Sequence, residues 1–213
     1  MEQAIRIAVS IFLSYLVGSI PTAYIFGRAL KGIDIREHGS GNMGATNAMR
    51  VLGRGPGIVV LLLDIIKGAV ATTVVANISG ISDSWMPVVL GLVAVAGHNW
   101  TVFLNFKGGK GIATSLGVLI GLTIEIAVIR PVLLITVFAW GISFLLSGYV
   151  SLASIIAAII LPFSMVFTRQ PIEIISLGII FCIFVVWRHR PNIKRLLTSQ
   201  ESKVIFPWNK KDL

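Results

Sequence analysis

Two short segments of this 213-residue chain combine glycine with cationic and hydrogen-bonding side chains. In the first, glycines let the backbone approach a ligand closely, and the sequence predicts a helix that starts near Met43, capped by Ser40 or Asn42. The free N–H groups of a helix start attract phosphate, and an arginine can bind it with two hydrogen bonds. We therefore predict an anion site, with a flexible interfacial loop as the alternative. The candidate residues are Gly39, Ser40, Gly41, Asn42, Thr46, Asn47 and Arg50.

The second segment has the sequence Lys-Gly-Gly-Lys-Gly just before an apolar run. It does not match the Walker pattern, because Gly111 follows Lys110 where a Ser or Thr should bind magnesium, and no βαβ unit is predicted. The segment therefore suits an anion at a helix start rather than nucleotide hydrolysis. For Lys107 the alternative is a lysine that only reaches the membrane interface. The candidate residues are Lys107, Gly108, Gly109, Lys110 and Gly111.

A third polar segment, residues 188–203, pairs His189 with Asn192 among basic residues. A basic tail beside lipid headgroups would explain the arginines, but it would not explain this pair. The three histidines are His38, His98 and His189, and their spacing matches no zinc signature. We therefore predict neither a metal ion nor another cofactor.

The composition indicates that these segments belong to a membrane protein. Apolar residues make up 55% of the chain and charged residues only 13%, with a mean hydropathy of +0.90. Soluble domains are about 45–50% apolar and about 25% charged, so a water-soluble protein is excluded. The net charge of +9 would suggest nucleic acid in a soluble protein, but here the cations lie between apolar runs, as at membrane interfaces. We expect membrane lipids as partners and no nucleic acid.

The apolar runs predict an all-α integral membrane protein with about seven transmembrane helices in one domain, residues 1–213. A span needs about 20 apolar residues, and the connections between the later runs are tight turns. A single cysteine, Cys182, excludes a disulfide within the chain. The predicted spans are residues 5–29, 57–77, 86–104, 112–129, 132–146, 150–167 and 172–187.

The distribution of Lys and Arg predicts that the N-terminus lies outside and the C-terminus in the cytoplasm. The side opposite the N-terminus holds 13 of the 18 basic residues, namely Lys31, Arg36, Arg50, Arg54, Lys107, Lys110, Arg188, Arg190, Lys194, Arg195, Lys203, Lys210 and Lys211. The three anion-binding segments fall on the same, cytoplasmic side. Within the second span, Asp64 and Lys67 can pair on one helix face. Charges inside a membrane mark functional sites, or the pair only stabilises the bundle.

The three segments together resemble the bacterial acyl-phosphate-dependent glycerol-3-phosphate acyltransferases, the PlsY-type family. The resemblance covers nearly the whole chain. Two positions depart from the family pattern, with Thr101 where proline is usual and Ser199 where glycine is usual. The matching residues are Gly18–Pro21, Gly39–Asn42, Gly44–Asn47 and Arg50; Gly97–His98, Phe106–Gly111 and Ala113–Thr114; and His189, Asn192–Ile193, Arg195–Leu196 and Glu201.

The resemblance implies transfer of a fatty acyl group from acyl phosphate to the 1-hydroxyl of sn-glycerol 3-phosphate. The products would be lysophosphatidate and phosphate, at the first step of phospholipid synthesis in the bacterial inner membrane. Our hypothesis is that Lys110 and its glycines hold acyl phosphate, that Ser40 and Arg50 hold glycerol 3-phosphate, and that Asn192 donates to the developing oxyanion. His189 would orient a phosphate or act as the base; otherwise a substrate phosphate takes the proton. We expect a monomer.

A small transporter or channel for anionic or phosphorylated solutes is the alternative function. Transporters place polar residues or broken helices near the bilayer midplane, often on an inverted repeat. The sequence offers only Asp64 and Lys67 there and shows no repeat. An enzyme is therefore the favoured interpretation.

Overall fold

The computed structural model describes residues 1–204, and every regular element in that range is helical. Lys210 and Lys211, assigned above to the cytoplasmic side, lie outside the described residues. A π-helical turn, Ala71–Val75, continues α4 into α5. The helices are α1 (Glu2–Ser19), α2 (Thr22–Lys31), α3 (Ala45–Leu52), α4 (Arg54–Val70), α5 (Ala76–Ser79), α6 (Trp85–Asn99), α7 (Ile112–Glu125), α8 (Arg130–Ser147), α9 (Val150–Phe167), α10 (Ile172–Arg188) and α11 (Arg190–Leu197).

Five helical stretches of the described chain are long and apolar enough to cross a membrane, or six if α10 and α11, bent by 57°, form one span. The fourth predicted span is a helix of only 14 residues, α7, which at about 1.5 Å per residue is shorter than the roughly 30 Å hydrocarbon layer. Large apolar side chains such as Phe138 and Phe163 are exposed, as lipid-facing residues are. The all-helical membrane fold is confirmed, whereas the count of seven spans stays a prediction.

The first predicted span is not continuous, because the helix breaks at Ile20 and Pro21. Proline lacks an N–H group and disfavours helix at the residue before it. Two carbonyls freed by the break accept hydrogen bonds from side chains: Lys67 Nζ lies 2.9 Å from the Ile20 oxygen, and Thr101 Oγ1 lies 2.6 Å from the Ser19 oxygen. A break within an apolar bundle is tolerated where such donors replace water.

The helices pack as two compact units, Met1–Ala127 and Val128–Leu213. In the first unit α4 packs on α7, α1 on α6, and α3 on α4. Glycines allow close approach of the backbones: a Cβ added to Gly117 would lie 1.8 Å from the Ile65 oxygen, and one added to Gly68 would lie 2.0 Å from the Thr114 oxygen. Small residues are the usual means of close helix packing in membranes.

In the second unit α9 packs between its neighbours α8 and α10. Gly148 ends α8 in the left-handed conformation with φ +74°, which glycine adopts without a steric penalty. Its carbonyl accepts the amide of Val204, 2.9 Å away, so the chain after α11 returns to the α8–α9 turn.

We predict that Gly117→Ala destabilises the protein. The new Cβ would collide with backbone that cannot move alone, which should cost about 1–3 kcal/mol and lower the unfolding temperature in detergent by roughly 2–10 °C. Gly141→Ala is the matched control, because no described atom lies within 4 Å of a Cβ at that position. The control should unfold at an unchanged or slightly higher temperature, and equal losses in both variants would contradict the packing argument.

Candidate active site

The first glycine segment is held in place by the buried side chain of Asn47. Its Oδ1 accepts the Ser40 amide at 2.8 Å, and its Nδ2 donates to the carbonyls of His38 and Ile35 at 3.0 and 3.3 Å. Gly39 sits at φ +61°, and a Cβ there would lie 2.4 Å from Asn47 Oδ1. Asn47 therefore fixes the loop from within, and glycine is required where the loop passes over it.

The helix after this loop begins differently from the prediction. It starts at Ala45 with Gly44 as N-cap, and no side chain caps it, so the prediction that Ser40 or Asn42 would do so was wrong. An apolar cluster anchors this end of the unit instead, and Asn47 supplies the hydrogen bonds that bind loop to helix. The cluster contains Ala23, Ile35, Met43, Ala45, Ala48, Leu52, Val60 and Leu104.

The predicted ligand groups of this segment are accessible. Ser40, Thr46 and Arg50 are exposed, and Asn42 is half-buried, whereas Asn47 is 1% exposed. The loop and the helix α3 that follows it thus present hydroxyl and guanidinium groups outward, and the Asn47 amide holds the loop from its buried side. This is the arrangement that a phosphate site on a rigid support requires.

A cluster of charges beside the loop was not predicted from the sequence. Asp34 accepts three hydrogen bonds from the Arg36 guanidinium, the shortest 2.6 Å from Nη2, and a fourth from the Arg36 amide. These bonds from Arg36 outweigh the effect of burial and lower the pKa of Asp34 to about 2. The guanidinium carbons of Arg28 and Arg36 lie 5.3 and 5.4 Å from the Tyr24 ring centroid, at cation–π distance. Asp34 and Arg36 are only two residues apart, but this spacing does not show whether their side chains meet. The side-chain geometry of the structure shows that they do.

An open cleft of about 410 Å³ joins this cluster to the second glycine segment. Its lining contains side chains of both charge signs. Its lining residues are Asp34, Arg36, Glu37, Asn105 and Lys107.

The second glycine segment lies against the end of α6. The amides of Gly108 and Gly109 donate to the carbonyls of Asn99 and His98, at 3.1 and 3.0 Å. A Cβ at Gly108 would lie 2.0 Å from the His98 oxygen, and one at Gly109 would lie 2.2 Å from His98 Nε2. Gly111 is the N-cap of α7. The two glycines are therefore required by close contact with α6.

The cations of this segment differ in exposure. Lys107 is exposed, and Lys110 is half-buried just before the start of α7. The predicted combination of an ammonium group with a helix start is present in the structure.

The predicted pairing of Asp64 with Lys67 is confirmed, at 2.8 Å between Asp64 Oδ1 and Lys67 Nζ. The same oxygen accepts the Thr22 hydroxyl at 2.7 Å and lies 3.6 Å from His98 Nδ1. All four side chains are buried. The sequence did not indicate that His98 joins this pair, because the contact links helices far apart in the chain.

In the second unit, His189 and Asn192 are both buried at the bend between α10 and α11. Asn192 Nδ2 donates to Glu201 Oε1 at 2.6 Å, Ser151 donates to the same oxygen at 2.7 Å, and Arg195 Nε donates to Oε2 at 2.6 Å. Burial by itself would raise the pKa of Glu201, but these three donors outweigh it and lower the pKa. Glu201 thus orients the Asn192 amide, a function that the sequence did not assign to it.

His189 Nδ1 lies 2.8 Å from the Val185 carbonyl. A carbonyl can only accept, so Nδ1 carries the proton and Nε2 is the basic nitrogen of the neutral ring. This tautomer is the one that a base acting through Nε2 needs.

We predict that Asn47→Ala releases the loop that contains Ser40. Removing the acceptor of the Ser40 amide should speed hydrogen exchange of that amide at least about tenfold, measured by mass spectrometry on peptides spanning residues 36–42. Asn77→Ala is the matched control, because Asn77 is exposed and makes a 3.3 Å bond to Glu125 in the same unit. Unchanged exchange at Ser40 in Asn47→Ala would disprove the anchoring.

Known proteins resemble this chain over almost its whole length. The sequence profile of the glycerol-3-phosphate acyltransferase family matches residues 8–199. The glycerol-3-phosphate acyltransferase of Gloeobacter violaceus is 45% identical over 196 residues, covering 91% of this chain and 93% of that protein. That of Halalkalibacterium halodurans is 43% identical over 195 residues, covering 90% and 92%.

Solved structures agree with the sequence relatives. The crystal structure of PlsY (YgiH), an integral membrane glycerol 3-phosphate acyltransferase in its glycerol 3-phosphate form, matches with a TM-score of 0.83 and 38% identity, covering 93% of this chain and 96% of that one. Its lysophosphatidic acid form matches with a TM-score of 0.81 and 37% identity, covering 93% and 95%. This chain therefore belongs to the glycerol-3-phosphate acyltransferase family of integral membrane enzymes.

Proposed function

We propose that this enzyme transfers a fatty acyl group from acyl phosphate to the 1-hydroxyl of sn-glycerol 3-phosphate at the cytoplasmic face of a bacterial inner membrane. The observation that carries the proposal is the pair of anchored glycine segments in the first unit. They present Ser40 and Lys110 from loops held by Asn47 and by the end of α6, and Arg50 lies in α3, the helix that follows the first segment. Both substrates bear phosphate, which such groups recognise.

The reaction requires little covalent catalysis by the protein. The hydroxyl oxygen of glycerol 3-phosphate attacks the acyl carbonyl carbon and forms the new ester bond. The bond from that carbon to the phosphate oxygen breaks, and phosphate leaves with the electron pair. Because acyl phosphate is already activated, positioning and stabilisation of negative charge supply most of the catalysis. The hydroxyl proton passes to a base.

In the first unit we assign one phosphate to each glycine segment. Ser40 and Arg50 hold glycerol 3-phosphate, with Gly39, Gly41, Asn42 and Thr46 beside them and Asn47 fixing their loop. Lys110 binds acyl phosphate together with Lys107, Gly108, Gly109 and Gly111. The exposure of Ser40, Thr46 and Arg50 supports this assignment, since ligands must reach them.

In the second unit we propose that Asn192 donates to the developing oxyanion and that His189 orients a phosphate or takes the proton. The bond from Asn192 to Glu201 supports the first assignment, because it fixes the plane of the amide. The Val185 carbonyl supports a base role for His189, since it leaves Nε2 basic.

The remaining features of the proposal concern the whole chain. The acyltransferase acts as a monomer of one domain, with its N-terminus outside and its C-terminus in the cytoplasm. The glycerol 3-phosphate and lysophosphatidic acid forms of PlsY support the acceptor and the product. Family membership weighs against the transporter considered from the sequence, because the family relatives are acyltransferases.

We predict that the purified protein forms lysophosphatidate from radiolabelled glycerol 3-phosphate with acyl phosphate as donor, and not with acyl-CoA or acyl carrier protein. Each donor is assayed separately in the same detergent. Lysophosphatidate from acyl-CoA alone would contradict the donor assignment. Uptake of glycerol 3-phosphate by proteoliposomes, without lysophosphatidate, would instead support transport.

In the same assay, Arg50→Gln and Lys110→Met should each lower kcat/KM at least about 100-fold, because each removes a cation that stabilises phosphate charge. Arg54→Gln and Lys194→Met are matched controls, since both residues are exposed and carry no proposed role. The controls should stay within about twofold of the parent enzyme. A loss in the controls equal to that in the test variants would indicate a general effect of surface charge.

Two substitutions at His189 separate its possible roles. If the imidazole takes the proton, His189→Ala and His189→Gln should lose about 10²–10⁴-fold in kcat and the acidic limb of the pH–rate profile. We expect this result from the tautomer that Val185 fixes. If a substrate phosphate with a second pKa near 6 takes the proton, that limb should persist and the loss should be in KM.

A further inference from the structure

The buried Asp64–Lys67 pair lies in α4 and comes close to His98 at the end of α6, against which the second glycine segment packs. Asp64 Oδ1 lies 3.6 Å from His98 Nδ1. This separation is slightly longer than a hydrogen bond, but the negative carboxylate still attracts the positive end of an N–H dipole on that nitrogen. The other imidazole nitrogen, Nε2, faces Gly109, where a Cβ would lie only 2.2 Å away.

The imidazole of His98 is therefore located between a buried carboxylate and the backbone of the glycine segment. Asp64 favours the tautomer of His98 with a proton on the nitrogen that faces it, and it favours the ring orientation that turns this nitrogen toward the carboxylate. The ring in turn fills the space beside Gly109, and the main chain of His98 accepts the Gly109 amide at 3.0 Å. A change at Asp64 would thus alter the surroundings of Gly109 and the adjoining Lys110.

Two further contacts hold the carboxylate itself. The Thr22 hydroxyl and the Lys67 ammonium both donate to Oδ1, at 2.7 and 2.8 Å. Oδ2 accepts no hydrogen bond from any residue within the described range 1–204, so the carboxylate retains an acceptor position. An ion pair that only stabilised the fold would not require a buried histidine next to its carboxylate.

We propose that Asp64 is a positioning residue for the phosphate-binding segment Gly108–Lys110, acting through His98. The proposal rests on the proposed function in that the segment binds a substrate phosphate. Asp64 and His98 touch no substrate themselves; they determine where the Gly109 backbone and Lys110 lie. A displacement of about 1 Å at such a site can cost about 100-fold in rate.

The first test uses a neutral pair, Asp64→Asn with Lys67→Gln. This double variant leaves no unpaired buried charge, and the Ile20 carbonyl still accepts the Thr22 amide at 3.1 Å, so folding should survive. We expect an unfolding temperature within a few degrees of the parent enzyme but a KM for acyl phosphate at least about tenfold higher. A kcat/KM within about twofold of the parent would overturn the proposal.

The second test is a double-mutant cycle with His98→Gln. The cycle compares the neutral pair, His98→Gln and the variant that combines them. If Asp64 acts through His98, the combined variant should have a kcat/KM within about twofold of the more impaired of the other two. Effects that multiply would show that Asp64 and His98 act independently, and the proposal would fail.

A third measurement does not depend on activity and separates this proposal from the proposed function. Hydrogen exchange of the Gly108 and Gly109 amides should be at least about tenfold faster in the neutral pair and in His98→Gln. Unchanged exchange would contradict the positioning role even in an active enzyme. Faster exchange in a protein whose parent forms no lysophosphatidate would support the positioning and refute the proposed function.

Thr22→Val provides the test if the neutral pair does not fold, because it loosens the carboxylate without removing its charge. We expect about two- to fivefold faster exchange at Gly108 and Gly109. Thr73→Val is its matched control. Among the residues that the structure describes, the Thr73 hydroxyl donates only to the Ala69 carbonyl one turn earlier in the same helical stretch, at 2.8 Å, and not to Asp64. Equal exchange in Thr22→Val and the parent would overturn the proposal.

Discussion

The break of the first helix at Ile20 and Pro21 frees backbone carbonyls among apolar helices. This part of the structure depends on side chains that donate hydrogen bonds to those carbonyls in place of backbone amides. In water the freed groups would be solvated, but among apolar helices each unpaired group costs several kcal/mol. Lys67 and Thr101 supply donors to the carbonyls of Ile20 and Ser19. Lys67 is a buried cation and needs a partner, which Asp64 provides.

These successive polar contacts connect the helix break to the glycine segments. Asp64 also holds Thr22, the first residue of α2, and lies beside His98 at the end of α6. The helix that follows the break leads into the loop that Asn47 anchors, and the end of α6 supports the second glycine segment. The Asn47 side chain thus holds the first segment and the main chain of α6 holds the second, while the groups proposed to bind phosphate stay exposed or half-buried. Because Asn47 and Asp64 each take part in several polar contacts, breaking one contact disturbs the others.

The sequence by itself determined the membrane environment, the helical class and the family, because apolar runs, sparse charge and ordered motifs are properties of local composition and spacing. It also determined the Asp64–Lys67 pair, since residues three apart on a helix must share a face. Helix lengths were less predictable: an apolar run does not show that α7 has only 14 residues or that the first span breaks within an apolar stretch.

Only the tertiary structure decided which polar residues hold the site and which are presented from it. Asn47 and Thr46 are adjacent and similarly polar, yet one is buried and the other exposed, because the apolar cluster beneath α3 sets the rotation of that helix. The contact of His98 with Asp64 likewise joins residues of α6 and α4, and the donors to Glu201 come from α9 and α11. Such contacts depend on how the helices pack. That packing is determined by side chains that are far apart along the chain, so local sequence patterns do not show it.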